Sequence, residues 1–93
     1  MGDFEIIFEG GLTARDRYEM EARGYRSHVK VKLHGNTYPV LFYDAVRLAQ
    51  VLEEETFIAE PGLIVLQKVD EERMREAVAK LVQEGYFEHL KPE

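Results

Sequence analysis

The sequence predicts an α+β fold, a two-layer sandwich with helices on one face of an antiparallel sheet. Residues 28–43 contain two alternating apolar runs around a glycine-containing turn, and apolar residues recur at helical spacing after Asp44 and after Asp70. The chain has 93 residues, which is enough for one domain with one modest core. We therefore expect residues 1–93 to form a single domain.

The hairpin in residues 28–43 shows the clearest pattern. The pair Gly35-Asn36 between alternating runs indicates a two-residue turn. With this pair at its centre, Leu33 lies opposite Tyr38, and a slip of one residue would exchange the two faces. In this register one face is entirely apolar and is expected to be buried, and it consists of Val29, Val31, Leu33, Tyr38, Val40 and Phe42.

The residues before the hairpin predict a strand and a short helix. Residues 4–9 alternate, with Phe4, Ile6 and Phe8 on one face. Thr13 followed by Asp16 indicates a capping box, and Gly24 is suited to end the helix. Its apolar face is expected to hold Ala14, Tyr18 and Ala22. The alternation in YEMEA leaves a strand or an irregular loop open for residues 13–23.

After the hairpin, Asp44 is expected to cap a helix over residues 45–55. Its inner face is predicted to contain Ala45, Leu48, Ala49 and Leu52. Pro61-Gly62 indicates a type II turn, with a short strand at Phe57 and Ile58 before it. The continuous apolar run of residues 63–66 predicts a further strand.

Asp70 begins the clearest helix, which Gly85 is expected to end. Its apolar stripe is Met74, Ala77, Val78, Leu81 and Val82. Residues 88–93 are expected to form a loose tail. The order along the chain, β-α-β-β-α-β followed by a third helix, is that of ferredoxin-like domains. It stays open whether the third helix covers the exposed sheet face.

Composition excludes several classes of protein. The chain has no cysteine, so disulfides and thiolate metal sites are excluded. No apolar run approaches the length of about 18 residues that indicates a membrane span, and no basic leader precedes the first apolar stretch. We expect a cytoplasmic protein. The net charge is −6, yet residues 13–34 hold six bases and three acids. The abundance of charged residues resembles thermophile composition.

The second face of the hairpin is a candidate interface. Apolar residues lie at its centre and charged residues surround them, which is typical of protein contacts. We expect self-association as a homodimer through this face. The alternatives are that a helix or the tail covers it, or that it binds a different ligand. The predicted interface residues are Ile7, Lys30, Lys32, Leu41 and Tyr43.

Two further surfaces are candidates. Residues 15–30 mix arginine and tyrosine, which are enriched at binding hot spots. A second contact surface through Tyr18, Arg23, Tyr25 and Arg26 is therefore predicted, unless this segment is a half-buried helix. The glycine pair before the first helix could offer backbone N–H groups to an anion, at a point where acylphosphatase-like domains hold phosphate. That weaker anion site consists of Gly10, Gly11, Thr13 and Arg15, and its alternative is a plain turn.

The segments IIFEGGL and NTYPVLFY resemble the two signature strands of the RNA recognition motif, a family with the same order of elements. In that family, aromatic side chains on the central strands stack bases. Tyr38 and Tyr43 match the second signature, and Leu41 is a loose aliphatic match. The glycine and basic opening of that signature are missing, Pro39 lies in its middle and Val40 replaces a stacking aromatic. The resemblance implies RNA binding as an alternative, which the negative net charge opposes.

No catalytic or metal-binding pattern is present in the sequence. His28 and His34 are about 20 Å apart along a strand, since each residue adds about 3.3 Å. Ser27 is the only serine, and its neighbour His28 would point to the opposite face of a strand. The prediction is a non-enzymatic binding or regulatory domain without cofactor or metal, whose partner is a second copy or another protein.

Overall fold

The computed structural model describes residues 3–93. Its four strands form one sheet in the order β1-β2-β3-β4. The first three strands are antiparallel to their neighbours, and β4 runs parallel to β3. The α+β class is confirmed, while the sheet is mixed rather than antiparallel. In chain order the elements are β1 (Phe4–Phe8), α1 (Ala14–Arg23), β2 (Tyr25–Leu33), β3 (Asn36–Asp44), α2 (Ala45–Glu54), β4 (Leu63–Leu66), α3 (Glu71–Gln83) and a 3₁₀ helix (Tyr86–His89).

The sequential strand order differs from the predicted ferredoxin-like arrangement. The predicted order of elements along the chain is present, but each helix between strands joins strands that are direct neighbours. A split βαβ unit instead has another strand between the two that its helix connects. The error arose because the order of elements along a chain does not determine which strands pair.

The hairpin turn lies one residue earlier than predicted. Leu33 pairs with Asn36, so the central residues of the turn are His34 and Gly35. Their φ angles are 52° and 80°, and positive values at both positions are typical of a type I′ turn. Asn36, predicted to lie in the turn, is instead the first residue of β3.

The register of β2 against β3 differs from the prediction by two residues, and the buried face is nevertheless as predicted. Val31 pairs with Tyr38, where Val40 was expected. Because side chains alternate with a period of two, a shift of two leaves every residue on its original face. All six apolar residues of that face are buried: Val29, Val31, Leu33, Tyr38, Val40 and Phe42.

Pro39 lies within β3 without disrupting the sheet. The N–H of Leu41 donates to the carbonyl of Gly62 at 3.0 Å. Pro39 lies two residues before Leu41, so its backbone nitrogen points to the same side, toward β4 and away from β2. Since β4 begins only opposite Leu41, the missing N–H of Pro39 costs no ladder bond. A β-bulge lies in the neighbouring strand β2, between Arg26 and Val29.

The core lies on one face of the sheet. Met20 of α1, Met74 and Val78 of α3, Val69 and Phe87 pack against the buried strand residues. The centres of the Tyr38 and Phe87 rings are 5.4 Å apart. The 3₁₀ helix therefore contributes to the core, and Glu93 also contacts the sheet, donating its N–H to the carbonyl of Thr37 at 2.7 Å.

The helix predicted over residues 13–23 is confirmed, but a different side of it is buried. Thr13 and Asp16 form the predicted capping box, and Gly24 ends the helix with a φ of 68°. The expected apolar face is wrong, because Tyr18 is 75% exposed whereas Met20 is buried. Met20 is the long apolar side chain of this helix, whereas burying Tyr18 would require a partner for its hydroxyl group.

The helix α2 lies on the face of the sheet opposite the core. The Arg47 guanidinium lies 5.8 Å from the centre of the Tyr25 ring, which is 4.9 Å from that of Tyr43. Tyr43 follows the buried residue Phe42, and successive strand residues point to opposite faces. Helices thus cover both faces, contrary to the prediction, because parallel neighbours need a crossover connection that passes over a face. Of the predicted inner face of α2, Leu48 is half-buried, whereas Ala45, Ala49 and Leu52 are exposed.

The segment between α2 and β4 is irregular. The short strand predicted at Phe57 and Ile58 is absent from it. The predicted turn is present, with a φ of 83° at Gly62 and a hydrogen bond from the N–H of Leu63 to the carbonyl of Glu60 at 3.3 Å. A side chain at Gly62 would clash with the Pro39 carbonyl, so glycine allows β4 to approach β3.

Substitutions in the hairpin turn should separate the two registers. Gly35→Ala should lower the free energy of unfolding by about 1 kcal/mol, because alanine resists a positive φ. His34→Asn should raise it by a few tenths of a kcal/mol, since Asn-Gly favours this turn. Asn36→Ala is the control and should have little effect. Urea denaturation measures all three, and a larger loss from Asn36→Ala than from Gly35→Ala would contradict the observed register.

Candidate functional site

The five residues of the predicted interface share the face opposite the core. Ile7 pairs with Lys30, and both alternate with buried neighbours on their strands. Leu41 and Tyr43 flank the buried residue Phe42 in the same way. Lys32 is exposed, whereas the other four are only half-buried or partly covered. Sequence patterning therefore placed these residues on a common face, but it did not indicate what lies over them.

One end of this face is covered by α2. Arg47 stacks on Tyr25, and Tyr25 in turn packs on Tyr43. Burial raises the pKa of the Tyr43 phenol, with Tyr25 and Glu60 acting in the same direction and Arg47 opposing them. The Nε atom of Arg47 is buried without a hydrogen-bond partner among residues 3–93. This end of the face is thus an aromatic contact between sheet and helix.

The other end of the face is approached by the last residues of the chain. The Lys30 Nζ atom lies 2.9 Å from the Glu93 Oε1 atom. This hydrogen bond to Glu93 raises the pKa of Lys30. Between the two covered ends, a groove of about 420 Å³ extends past Pro39 and Leu41 toward Pro61. The alternative that the tail covers part of the face is therefore realised at Lys30.

Exposed apolar side chains are concentrated in the segment from α2 to β4. Five large apolar or aromatic residues are exposed within residues 3–93, and four of them lie between positions 46 and 65. We call these four the α2–β4 apolar surface: Val46 (68% exposed), Leu52 (44%), Phe57 (71%) and Val65 (49%). The sequence did not reveal this surface, because Leu52 was assigned to the interior and Phe57 to a strand.

A cleft of about 510 Å³ lies between the loop after β1, helix α1 and the bulge of β2. The predicted anion site lies here, and most of the N–H and guanidinium groups expected to bind the anion already have partners within the chain. The Thr13 N–H donates to the Asp16 Oδ2 atom at 3.0 Å, and the Gly11 N–H donates to the Phe8 carbonyl at 2.8 Å. Hydrogen bonds from Thr13 lower the pKa of Asp16, which places a carboxylate beside the loop.

Other charges around this cleft include both signs. Arg15 lies on α1 and pairs with Glu19 at 3.0 Å. Glu9, Asp16 and Glu19 line the cleft together with Arg23 and Arg26. His28 lies at the bulge with a φ of 57°, and its Nδ1 atom is 3.6 Å from Glu9 Oε2. Gly10 lines the cleft, but the arrangement does not favour a simple anion.

The second predicted contact surface is divided between different parts of the molecule. Tyr18 and Arg23 are exposed on α1. Tyr25 lies on the α2 side of the sheet, whereas the Arg26 guanidinium lies 5.6 Å from the centre of the Phe8 ring on the core side. Neighbouring strand residues point to opposite faces, so the dense pattern in the sequence does not become one surface.

The positions that suggested RNA stacking are largely internal. Tyr38 is 8% exposed and Val40 is 3% exposed, and both belong to the core. Within residues 3–93, no three histidine or acidic side chains come close enough together to hold a metal ion. No helix in this part of the chain is long and apolar enough to cross a membrane.

No protein-family model, curated protein or solved structure matches this chain.

The burial of Tyr43 predicts a loss of stability in alkali. Because the pKa of Tyr43 is raised in the folded state, this residue contributes to the free energy of unfolding in full below the unfolded phenol pKa of about 10. That contribution is lost as the pH rises through the folded pKa. Tyr43→Phe should reduce the loss of urea resistance between pH 8 and about pH 11. Tyr18→Phe is the exposed control, and equal losses in both variants would contradict the prediction.

Proposed function

We propose that this chain is a non-enzymatic binding domain that acts through protein–protein contact, and that its first partner is a second copy of itself. The observation that carries the proposal is the α2–β4 apolar surface. Large exposed apolar patches on monomeric proteins mark interaction sites, and these four exposed side chains all fall within one segment of the chain. Helix α2 has a strongly apolar side, yet none of its residues is buried within the described chain.

Charged residues surround this surface. Glu53, Glu54 and Glu55 follow its helical part, and Glu60 precedes the turn into β4. Apolar residues within a charged rim are the usual anatomy of a protein interface. The proposed contact therefore lies outside the sheet face that the sequence predicted, since Tyr43 packs on Tyr25 beneath Arg47 of α2. The proposal includes a cytoplasmic location, which suits an acidic chain without cysteine.

Self-association should depend on the α2–β4 apolar surface. The double variant Leu52→Asp/Phe57→Asp should weaken dimer formation roughly 30-fold, because contact hot spots contribute about 2 kcal/mol or more. Sedimentation velocity across a concentration series measures it. Tyr18→Asp is the matched control, because Tyr18 is 75% exposed and Phe57 is 71% exposed. A wild-type chain that stays monomeric throughout would refute the proposal.

The substitutions Leu41→Asp and Tyr43→Asp are poor tests of the same idea. Both residues are half-buried, so a carboxylate there would weaken the fold as well as any contact. Leu52 and Phe57 are exposed, and their replacement should leave the circular dichroism spectrum unchanged.

A second candidate function is the binding of a small ligand in the cleft beside the bulge. The observation that favours it is a cavity of about 510 Å³ whose wall contains both carboxylates and guanidinium groups. Charges of both signs suit a zwitterion better than phosphate. In an NMR titration, the free amino acid glycine should shift the amide signals of Gly10, Gly11 and Ser27, while inorganic phosphate should not. Movement with phosphate alone would instead support the anion site, and no movement with either would exclude both.

A further inference from the structure

The strand β4 is an edge strand with an open side. It pairs only with β3, and the carbonyl of Gly62 accepts from Leu41. Backbone groups of successive strand residues point alternately to the two sides. Ile64 and Leu66 therefore bond toward β3, which directs the N–H and carbonyl groups of Val65 to the open edge.

This edge is neither covered nor charged. A groove of about 540 Å³ separates the edge of β4 from α3. Val65, within β4, is 49% exposed. Natural edge strands are commonly protected by charged residues or proline, and β4 has neither in the sequence LIVL. The other edge strand, β1, has Glu5 within it. Among the described strands, β4 is thus the edge that is open to pairing.

We infer that two copies of the chain join along β4, antiparallel and centred on Val65, to form one continuous eight-stranded sheet. The inference rests on the proposed function, for which it names the partner and the point of contact. A two-fold axis that passes between the two copies of Val65 lets these residues exchange both backbone hydrogen bonds. The N–H of Gln67 then reaches the carbonyl of Leu63 in the second copy, which gives four backbone hydrogen bonds in all.

Two charged residues beside the groove become partners in this arrangement. The two-fold axis is perpendicular to the sheet, so both α3 helices lie on the same face and run antiparallel. Glu72 and Lys80 line the same groove eight residues apart, and neither forms an ion pair within residues 3–93. Glu72 of one copy then faces Lys80 of the second. Glu76 lines the groove midway between them, so this register also places the two Glu76 side chains opposite each other beside the axis. The two Glu72–Lys80 pairs have to outweigh that repulsion.

The same arrangement brings the two α2 layers to a common face. A stable dimer buries about 800 Å² per subunit. This is about one-eighth of the 6412 Å² surface of the chain. The strand edge alone is too short to bury this area, so the flanking α3 and α2 layers have to contribute. Pairing along the β4 edge sets the register of the two copies, and the α2–β4 apolar surface supplies buried area around it.

Substitution at Val65 tests the inference. Val65→Lys places two like charges opposite each other and should weaken the dimer tenfold or more in sedimentation velocity. Val65→Thr keeps the shape and the strand propensity of valine and should preserve it. Both variants should retain the circular dichroism spectrum, because this side chain lies outside the core. A dimer equally stable with lysine would overturn the inference.

Cross-linking gives an independent measurement. Val65→Cys introduces a single cysteine into a chain that has none. Directly paired residues have Cα atoms about 5.5 Å apart, within the range of a disulfide. Mild oxidation should therefore give a linked dimer with Val65→Cys but not with Tyr18→Cys, the exposed control. Equal linking of both variants would count against the inference.

Charge reversal tests the pairing of the α3 helices. Lys80→Glu should weaken the dimer, and the double variant Glu72→Lys/Lys80→Glu should restore it. A dimer that resists Val65→Lys and does not cross-link through the Val65→Cys variant overturns the edge pairing but leaves the proposed function in place. A chain that is monomeric in every variant and in the wild type overturns both.

Discussion

The parallel pairing of β3 with β4 is the constraint on which the rest of this structure depends. Strand β3 is antiparallel to β2 on one side and parallel to β4 on the other. An antiparallel neighbour can follow a two-residue turn, whereas a parallel neighbour requires the chain to return over a face of the sheet. Helix α2 is that return, and it occupies the face that the core does not use. The division of the molecule into a well-packed side and a lightly packed side follows from it.

The two sides differ in how much apolar area they bury. On the core side, Phe42, Met74, Val78 and Phe87 are almost completely enclosed. On the α2 side, the main contact is a stack of Arg47, Tyr25 and Tyr43, while Val46 and Leu52 remain in water. Burial of apolar area is the dominant stabilising term in folding, so the core side holds most of the stability and the α2 side is the one with surface left for a partner.

Local signals in the sequence predicted much of the fold. Capping residues at Thr13, Asp44 and Asp70 gave the starts of the helices, because a side-chain oxygen must accept the first orphaned N–H groups. Strand alternation gave the buried face of the hairpin even though its register was wrong. Pairing between distant strands left no local signal, so the sheet order and the face that α2 covers were not predicted. The candidate surface was missed for the same reason, since apolar spacing in α2 does not show whether a sheet lies beneath it.

The bulge in β2 changes the phase of the strand. Counting back from Val29, unbroken alternation would direct Arg26 toward the helix α2 and Tyr25 toward the interior. One additional residue reverses this, so that the arginine covers the rim of the core beside Phe8 and the tyrosine meets its aromatic neighbour. A single inserted position thus decides which of Tyr25 and Arg26 faces the core and which faces α2, and the loss of either Ser27 or His28 in a descendant of this chain would exchange the two.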